Sequence, residues 1–428
     1  LRNNYQQSLA LSLAECGSVR ELSDYALLMQ ALEARGLFTR ALEALPADAE
    51  LQERARSGRG LTRPELAVLL SYAKIAVQHE LLKSKLPDER ELEPWLTSYF
   101  PDALRARFPD GIKSHSLRRE IIALGITNAL VNRGGPAMAV RLGSETRRPV
   151  ADIAHAFVVV RAVFDLPALW QRIDALDGKV PGEAQLRLYE ATRELVNAQT
   201  LWFLRERGGK VDLATTIQTH KAGLAALSAS LETILPPRRK ADLAQRAGRL
   251  AEGGVPGEIA AEVARLDVLG EAPAITEIAA AAGKPVADAG RIYLEIGEQL
   301  HIADLAAKGA AIASADQYDR LAVAQAVSQL ASARASFTRA AIKAGGVEAW
   351  RSSLGERLAR LQPALDEAAT QGALRLSRLS VVAGHLRELA SGPGGPSASP
   401  RRVRPRDRAP RPANGSRPAR KRAPPSRS

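Results

Sequence analysis

One cysteine, Cys16, is all that 428 residues contain, so no disulfide can form within the chain, and such sparing use fits a reducing compartment. Aromatic residues are scarce as well, at 4% of the chain. Leucine and alanine carry the apolar content instead, which favours helices over sheets. No apolar run approaches the roughly 18 residues that a membrane-crossing helix needs. No basic start followed by an apolar stretch marks a secretory signal, and the cytoplasm is the expected location. The six histidines, His79, His115, His155, His220, His301 and His385, are scattered, with no pair at metal-ligand spacing and no cysteine cluster beside them. A G-x-G-x-x-G loop after a strand is missing, and so is a Walker loop; both serve to bring backbone N–H groups to a phosphate. The chain opens at Leu1 without a methionine, and "NYQQSLALSLAE" already reads as helix, so the expectation is a piece of a longer polypeptide.

The net charge of +13 is unevenly spread. Residues 391–428 hold eleven Arg or Lys against one Asp, together with nine of the 25 prolines and no aromatic residue. That segment therefore carries ten of the thirteen excess positive charges. It cannot bury enough apolar surface to offset the entropy of ordering and is expected to be disordered. A polycation of this kind attracts nucleic acid or an acidic surface without sequence preference, but it lacks aromatics to stack on bases. A solvating tail is the simpler reading. The other 390 residues are enough for two or three domains.

The most fully specified helix is "LTRPELAVLLSYAKI", Leu61 to Ile75. Thr62 takes the N-cap position and Glu65 follows three residues later, which makes a capping box. Pro64 sits in the first turn, where a missing N–H costs nothing. Leu66, Leu69, Leu70, Ala73 and Val77 then form one apolar stripe. Tyr72, Ile75 and Ala76 form a second apolar side, expected to meet a different partner. Before this helix, residues 1–45 read as one long or two consecutive helices, and Pro46 opens a short one. After it, Pro94, Pro101 and Pro109 punctuate two short helices. A longer helix is expected from Ser114 to Asn132, with Leu117, Ile121, Leu124 and Val131 on one face, ended by "RGGP".

An internal repeat follows. "RPVADIAHAFVVVRAVFDLPAL", from Arg148, resembles "KPVADAGRIYLEIGEQLHIADL", from Lys284, at an ungapped offset of 136 residues. Val150 matches Val286, Asp152 matches Asp288, Phe157 matches Tyr293, Val160 matches Ile296, Phe164 matches Leu300 and Leu169 matches Leu305. In both copies a proline precedes a helix with an aspartate in its first turn, where a carboxylate meets the positive end of the dipole. A second long helix follows each copy, and paired glycines, Gly208-Gly209 and Gly345-Gly346, end it. "FVVV", Phe157 to Val160, is the best strand candidate, but its flanks keep helical spacing. The expected fold is all-α: a multi-helix bundle with an internally duplicated helical module and a disordered basic tail. The expected divisions are a helical subdomain over 1–135, repeat modules over 136–235 and 236–390, and the tail over 391–428.

Several short patterns invite a chemical reading, and each has a plainer one. "SYAK", Ser71 to Lys74, has the S-x-x-K form of serine acylases, but Ser71 lies beyond the helix start and the accompanying S-D-N and K-T-G are missing. His155 follows Asp152 by three residues on one helix; Arg291 stands at the equivalent place in the repeat, so a surface or interface pair is expected. Cys16 is expected to be a buried free thiol. "GGVPG", Gly253 to Gly257, reads as a turn between helices, and "SLRRE" and "PPRRK" as solvated basic spots. No catalytic, cofactor-binding or metal-binding residue is assigned.

Longer stretches carry a resemblance. "RNNYQQSLALSLAE", "LTRPELAVLLSYAKI", "YFPDALRARFPDGIKSHSLRREIIALGITNALVNRGGPAMAVRL", "ETRRPVADIAHAFVVVRAVFDLPALWQRIDALDGKVP" and "TLWFLRE" resemble the large bacterial NAD-specific glutamate dehydrogenases. The likeness covers Arg2 to about Leu389 and is firmest up to Arg207; the second repeat matches more loosely, and the Arg/Pro tail falls outside the pattern. It lies on the helical region after that family's catalytic domain. It implies an enzyme that deaminates glutamate to 2-oxoglutarate and ammonia with NAD. The NAD site and the catalytic residues would lie upstream of this chain. The implied partners are that upstream domain and further copies in a homo-oligomer. The alternative is a stand-alone helical adaptor that binds acidic partners or nucleic acid through its tail.

Overall fold

Residues 2–207, 212–312 and 317–391 are described by the computed structural model, and every element among them is a helix or the turn between two. The first eight helices are α1 (Arg2–Cys16), α2 (Leu22–Ala34), α3 (Asp48–Arg56), α4 (Arg63–Lys83), α5 (Glu93–Tyr99), α6 (Asp102–Arg107), α7 (Pro109–Lys113) and α8 (Arg118–Gly134). Then come α9 (Met138–Thr146), α10 (Val150–Val163), α11 (Leu166–Asp174), α12 (Gly182–Arg207), α13 (Leu213–Ile234), α14 (Pro237–Ala251) and α15 (Gly257–Leu269). The last seven are α16 (Ala272–Ala282), α17 (Val286–Gln299), α18 (Ile302–Ala310), α19 (Gln317–Ala344), α20 (Val347–Leu354), α21 (Glu356–Thr370) and α22 (Leu376–Ser391). The tail, 392–428, and the glycine pair Gly208-Gly209 lie outside the described residues.

The α4 capping box forms as its sequence requires: the Thr62 N–H donates to Glu65 Oε2 at 2.7 Å. The same carboxylate receives Arg54 from α3 through two bonds, 2.7 and 2.9 Å, which ties the entry of α4 to the preceding helix. Leu66, Leu69, Leu70, Ala73 and Val77 are all buried, against α1, α2 and α8. The second apolar side is different: Ala76 is buried, but Ile75 is 53% exposed. The helix expected from Ser114 starts four residues later, because His115 Nδ1 accepts the Leu117 N–H at 3.1 Å and holds a turn there. Leu117 consequently leaves the buried face and is 54% exposed.

The duplication is visible in the backbone. The bounds of α10 and α11 recur in α17 and α18 at an offset of 136 residues. Pro149 and Pro285 stand at the two N-caps. The residue that starts the next helix, Asp165 or His301, takes the left-handed conformation in both copies, at φ 45° and 52°. That conformation is uncommon for any residue with a Cβ, and aspartate and histidine are among those that tolerate it best. In each copy the pair rests on the long helix that follows, α12 or α19, and α13 packs against α10, α16 and α17 and so joins the copies. "FVVV" lies in α10 with all four side chains buried. Neighbours α4, α8, α9, α12 and α13 surround that helix, so a continuous apolar run serves here as a buried helix.

The largest apolar cluster runs from Leu9 to Leu266, and a second runs from Ile296 to Leu389. Among the described residues no single helix is long and apolar enough to cross a membrane; α10 and α11 reach that length only together, bent by 72°.

Candidate functional site

A cleft of about 1830 Å³ is lined by helices of both copies, with α2, α3, α9 and α12 on one side and α16, α18 and α19 on the other. Its walls are largely apolar, with small residues such as Ala26, Ala198, Ala274 and Ala306 setting its width. Asp24 of α2 crosses to the second copy: its carboxylate takes Arg320 of α19 at 2.5 Å and Arg141 of α9 at 3.7 Å. Burial pushes the Asp24 carboxyl pKa up, against the pull of those two arginines. Further ion pairs lie along its walls, Arg141 with Glu145 at 3.1 Å and Arg246 with Glu194 at 3.5 Å. Asp24, Arg320, Arg141, Glu145 and Arg205 thus form one connected set of ion pairs at the cleft.

Two buried arginines brace the long helices behind the cleft. Arg193 of α12 donates to Glu21 Oε2 at 2.6 Å, to the Leu13 carbonyl at 3.3 Å and to the Gly134 carbonyl at 3.3 Å. Burial lowers its pKa, but Glu21, Tyr25 and Glu190 outweigh that and hold it above the ordinary arginine value. Arg334 of α19 donates to Glu271 at 2.7 Å and to the Tyr293 carbonyl at 3.0 Å, and its guanidinium lies 3.9 Å from the Tyr293 ring centre. Sequence reasoning missed both. Their signal was present: a charged residue at a buried register position of an amphipathic helix needs a buried partner.

The shorter patterns resolve individually. Ser71 donates back to the Ala67 carbonyl at 2.9 Å, while Lys74 donates to Gln7 at 2.5 Å, so each is bonded away from the other. Burial nonetheless lowers the Lys74 pKa to about 8. His155 is buried, so of the expected surface or interface position it takes the interface; it lies 3.9 Å from Glu89, while Asp152 lies 3.8 Å from Arg148. Cys16 is exposed, contrary to expectation. Partial desolvation and the carboxylates of Glu190 and Glu15 push its thiol pKa up, the wrong direction for a nucleophile. Gly253 and Gly254 form the turn between α14 and α15, both at positive φ. The basic spots are engaged by acids: Arg119 with Asp88, Arg238 with Asp304 at 2.8 Å. Among the described residues no group of three His, Cys, Asp or Glu could hold a metal.

Residues 58–388 match the family model described as "Glutamate dehydrogenase, C-terminal". The chain belongs to this family. The NAD-specific glutamate dehydrogenase of Pseudomonas aeruginosa is 38% identical over 302 residues, covering 71% of this chain and 19% of that relative. The enzyme of the same name from Halomonas elongata is 35% identical over 302 residues, with the same coverage. That of Mycobacterium tuberculosis is 32% identical over 263 residues, covering 61% of this chain and 16% of the relative. The chain thus spans about a fifth of the length of the first two relatives. The C-terminal glutamate dehydrogenase family match takes in α4, both copies of the repeat and the whole of the cleft's second side.

Proposed function

We propose that this chain is the helical C-terminal part of an NAD-dependent glutamate dehydrogenase and that it acts as a frame for a catalytic domain carried elsewhere in the longer polypeptide. The complete enzyme oxidatively deaminates L-glutamate to 2-oxoglutarate and ammonia, with hydride passing to NAD. The family match over most of the chain carries this reading. The residues do not suit NAD itself: among those described there is no strand, and no glycine-rich turn leads from a strand into a helix to receive a pyrophosphate. On this reading the nucleotide belongs to the remainder of the polypeptide.

Docking to that remainder is supported by exposed apolar side chains gathered around α5, α6 and α7. Tyr99, Leu104, Phe108 and Leu117 are 60%, 42%, 49% and 54% exposed. A cytoplasmic location and assembly into a homo-oligomer complete the proposal.

The test compares two proteins: the longer polypeptide encoded by the gene, and this segment alone. NADH formation from L-glutamate is expected from the first and not from the second. Turnover by the isolated segment would overturn the division of labour. Phe108→Asp is expected to leave the segment's own unfolding midpoint unchanged while lowering that of the longer enzyme.

A further inference from the structure

We propose that the cleft between the two repeat copies seats an amphipathic helix of about four turns, supplied by the part of the longer polypeptide that lies outside this chain. The inference rests on the framing role above and names a surface and the kind of element that joins it. The matched stretch is 19% of the first two relatives, so most of such a polypeptide lies outside it. Both long banks of the cleft present helical faces. Ser23, Ala26 and Leu27 of α2 line one bank, and Val323, Ala324 and Val327 of α19 line the other. Each set falls on a single side of its helix, and all six residues are half-buried. α2 packs against α3, α4 and α9, and α19 against α16, α17, α18 and α20, so these two stripes are left facing the opening. Val19, 53% exposed just before α2, extends the apolar rim.

The volume decides between a small ligand and a helix. Pockets for small molecules measure about 300–1,000 Å³, well below the cleft's 1830 Å³. A helix about 10 Å across that rises about 1.5 Å per residue fills such a space with about 15 residues. Packed helix axes approach to about 8–10 Å, nearest where the facing side chains are small, and Ala26 and Ala324 provide that on the two banks. Charge points the same way. Arg320 is paired with Asp24, Arg141 with Glu145 and Arg334 with Glu271 along these walls. The seated face therefore needs apolar side chains and few countercharges, while the opposite face looks out of the open side and stays polar. A contiguous apolar surface on two facing helices marks a place where another element packs.

Photocrosslinking in the longer polypeptide encoded by the gene identifies the occupant. Benzoylphenylalanine is placed, one site at a time, at Gln30 on the α2 bank and at Ala331 on the α19 bank, both exposed at the cleft. After illumination of the purified protein, mass spectrometry is expected to join both sites to one stretch outside residues 1–428, with apolar residues at helical spacing. The same probe at Arg360 of α21, 81% exposed and outside the cleft, is expected not to reach that stretch. Ala331→Asp sets a carboxylate on the apolar bank and is expected to cut the yield from the Gln30 site about fivefold or more. Ala331→Ser is expected to leave that yield unchanged. Crosslinks confined to residues 1–428, whether of a second subunit or of the basic tail, would overturn the assignment. So would the absence of crosslinks from both sites, or a Gln30 yield indifferent to Ala331→Asp. NADH formation from L-glutamate, read in the same samples before illumination, tests the framing role separately. Turnover confined to the longer polypeptide, without the crosslinks, refutes the occupant and leaves that role standing.

Discussion

At the scale of single residues, the chain places several charges where water reaches them poorly and partners decide their state. Lys74 is the clearest case for a pH effect. Its pKa falls to about 8 through burial alone, and its neighbour Gln7 is neutral. Below about pH 8 the amine is charged in folded and unfolded chains alike, and the folded state bears the cost of a poorly solvated ammonium. Between about 8 and the ordinary lysine value near 10.4, the unfolded chain keeps a proton that the folded chain has shed. Stability contributed at this position therefore rises with pH through that window. Urea unfolding at about pH 7.5 and about pH 9.5 should show wild type gaining on Lys74→Met at the higher pH, by an amount that residual solvent screening keeps small. An unchanged difference between the two would refute the shift. The residue scale is also where sequence reading is weakest. Cys16 and Ile75 are apolar or nearly so and fall on helical faces, yet both are exposed.

At the scale of elements, close crossings decide which side chains are tolerated. Where α13 meets α16, Gly223 has no room for a methyl: a Cβ would lie 1.9 Å from Thr276 Oγ1 and 2.8 Å from its Cγ2. Gly223→Ala should therefore destabilise the chain by about 1–3 kcal/mol, as overpacking does, even though alanine is the better helix former. Adding Thr276→Ala removes the two nearest atoms and should recover part of the loss; thermal unfolding of the single and double variants measures both steps. A neutral Gly223→Ala would show that the crossing is looser than this geometry. The crossing was not legible in the sequence, because Thr276 lies 53 residues away from Gly223 in the numbering. The α4 cap shows the opposite case. Thr62 and Glu65 are three residues apart, so local chemistry alone specifies their contact. Even there the clamp from Arg54 is a tertiary addition.

At the scale of the whole helical body, Asp24 is the residue that binds α2 and α9 of the first part to α19 of the second across the cleft. Asp24→Asn leaves Arg320 and Arg141 without that charge, and the loss of a partner to buried donors costs about 1–3 kcal/mol. Because the core of α18 and α19 is a cluster separate from that around α2, the loss should be local. Hydrogen exchange is expected to quicken in α18 and α19 while α8 and α10 stay protected. Uniform quickening would mean that the two clusters open together.

The helices, their duplication at a spacing of 136 residues and the family resemblance follow from the order of residues alone, because capping, apolar period and repeat are short-range or one-dimensional properties. The tertiary structure decided what no local pattern encodes: that Arg193 and Arg334 are buried braces, that Leu117 and Phe108 face outward, and that a cleft opens between the two copies. Burial and ion pairing depend on which helices come together from far apart in the chain, and that is settled only when their faces meet.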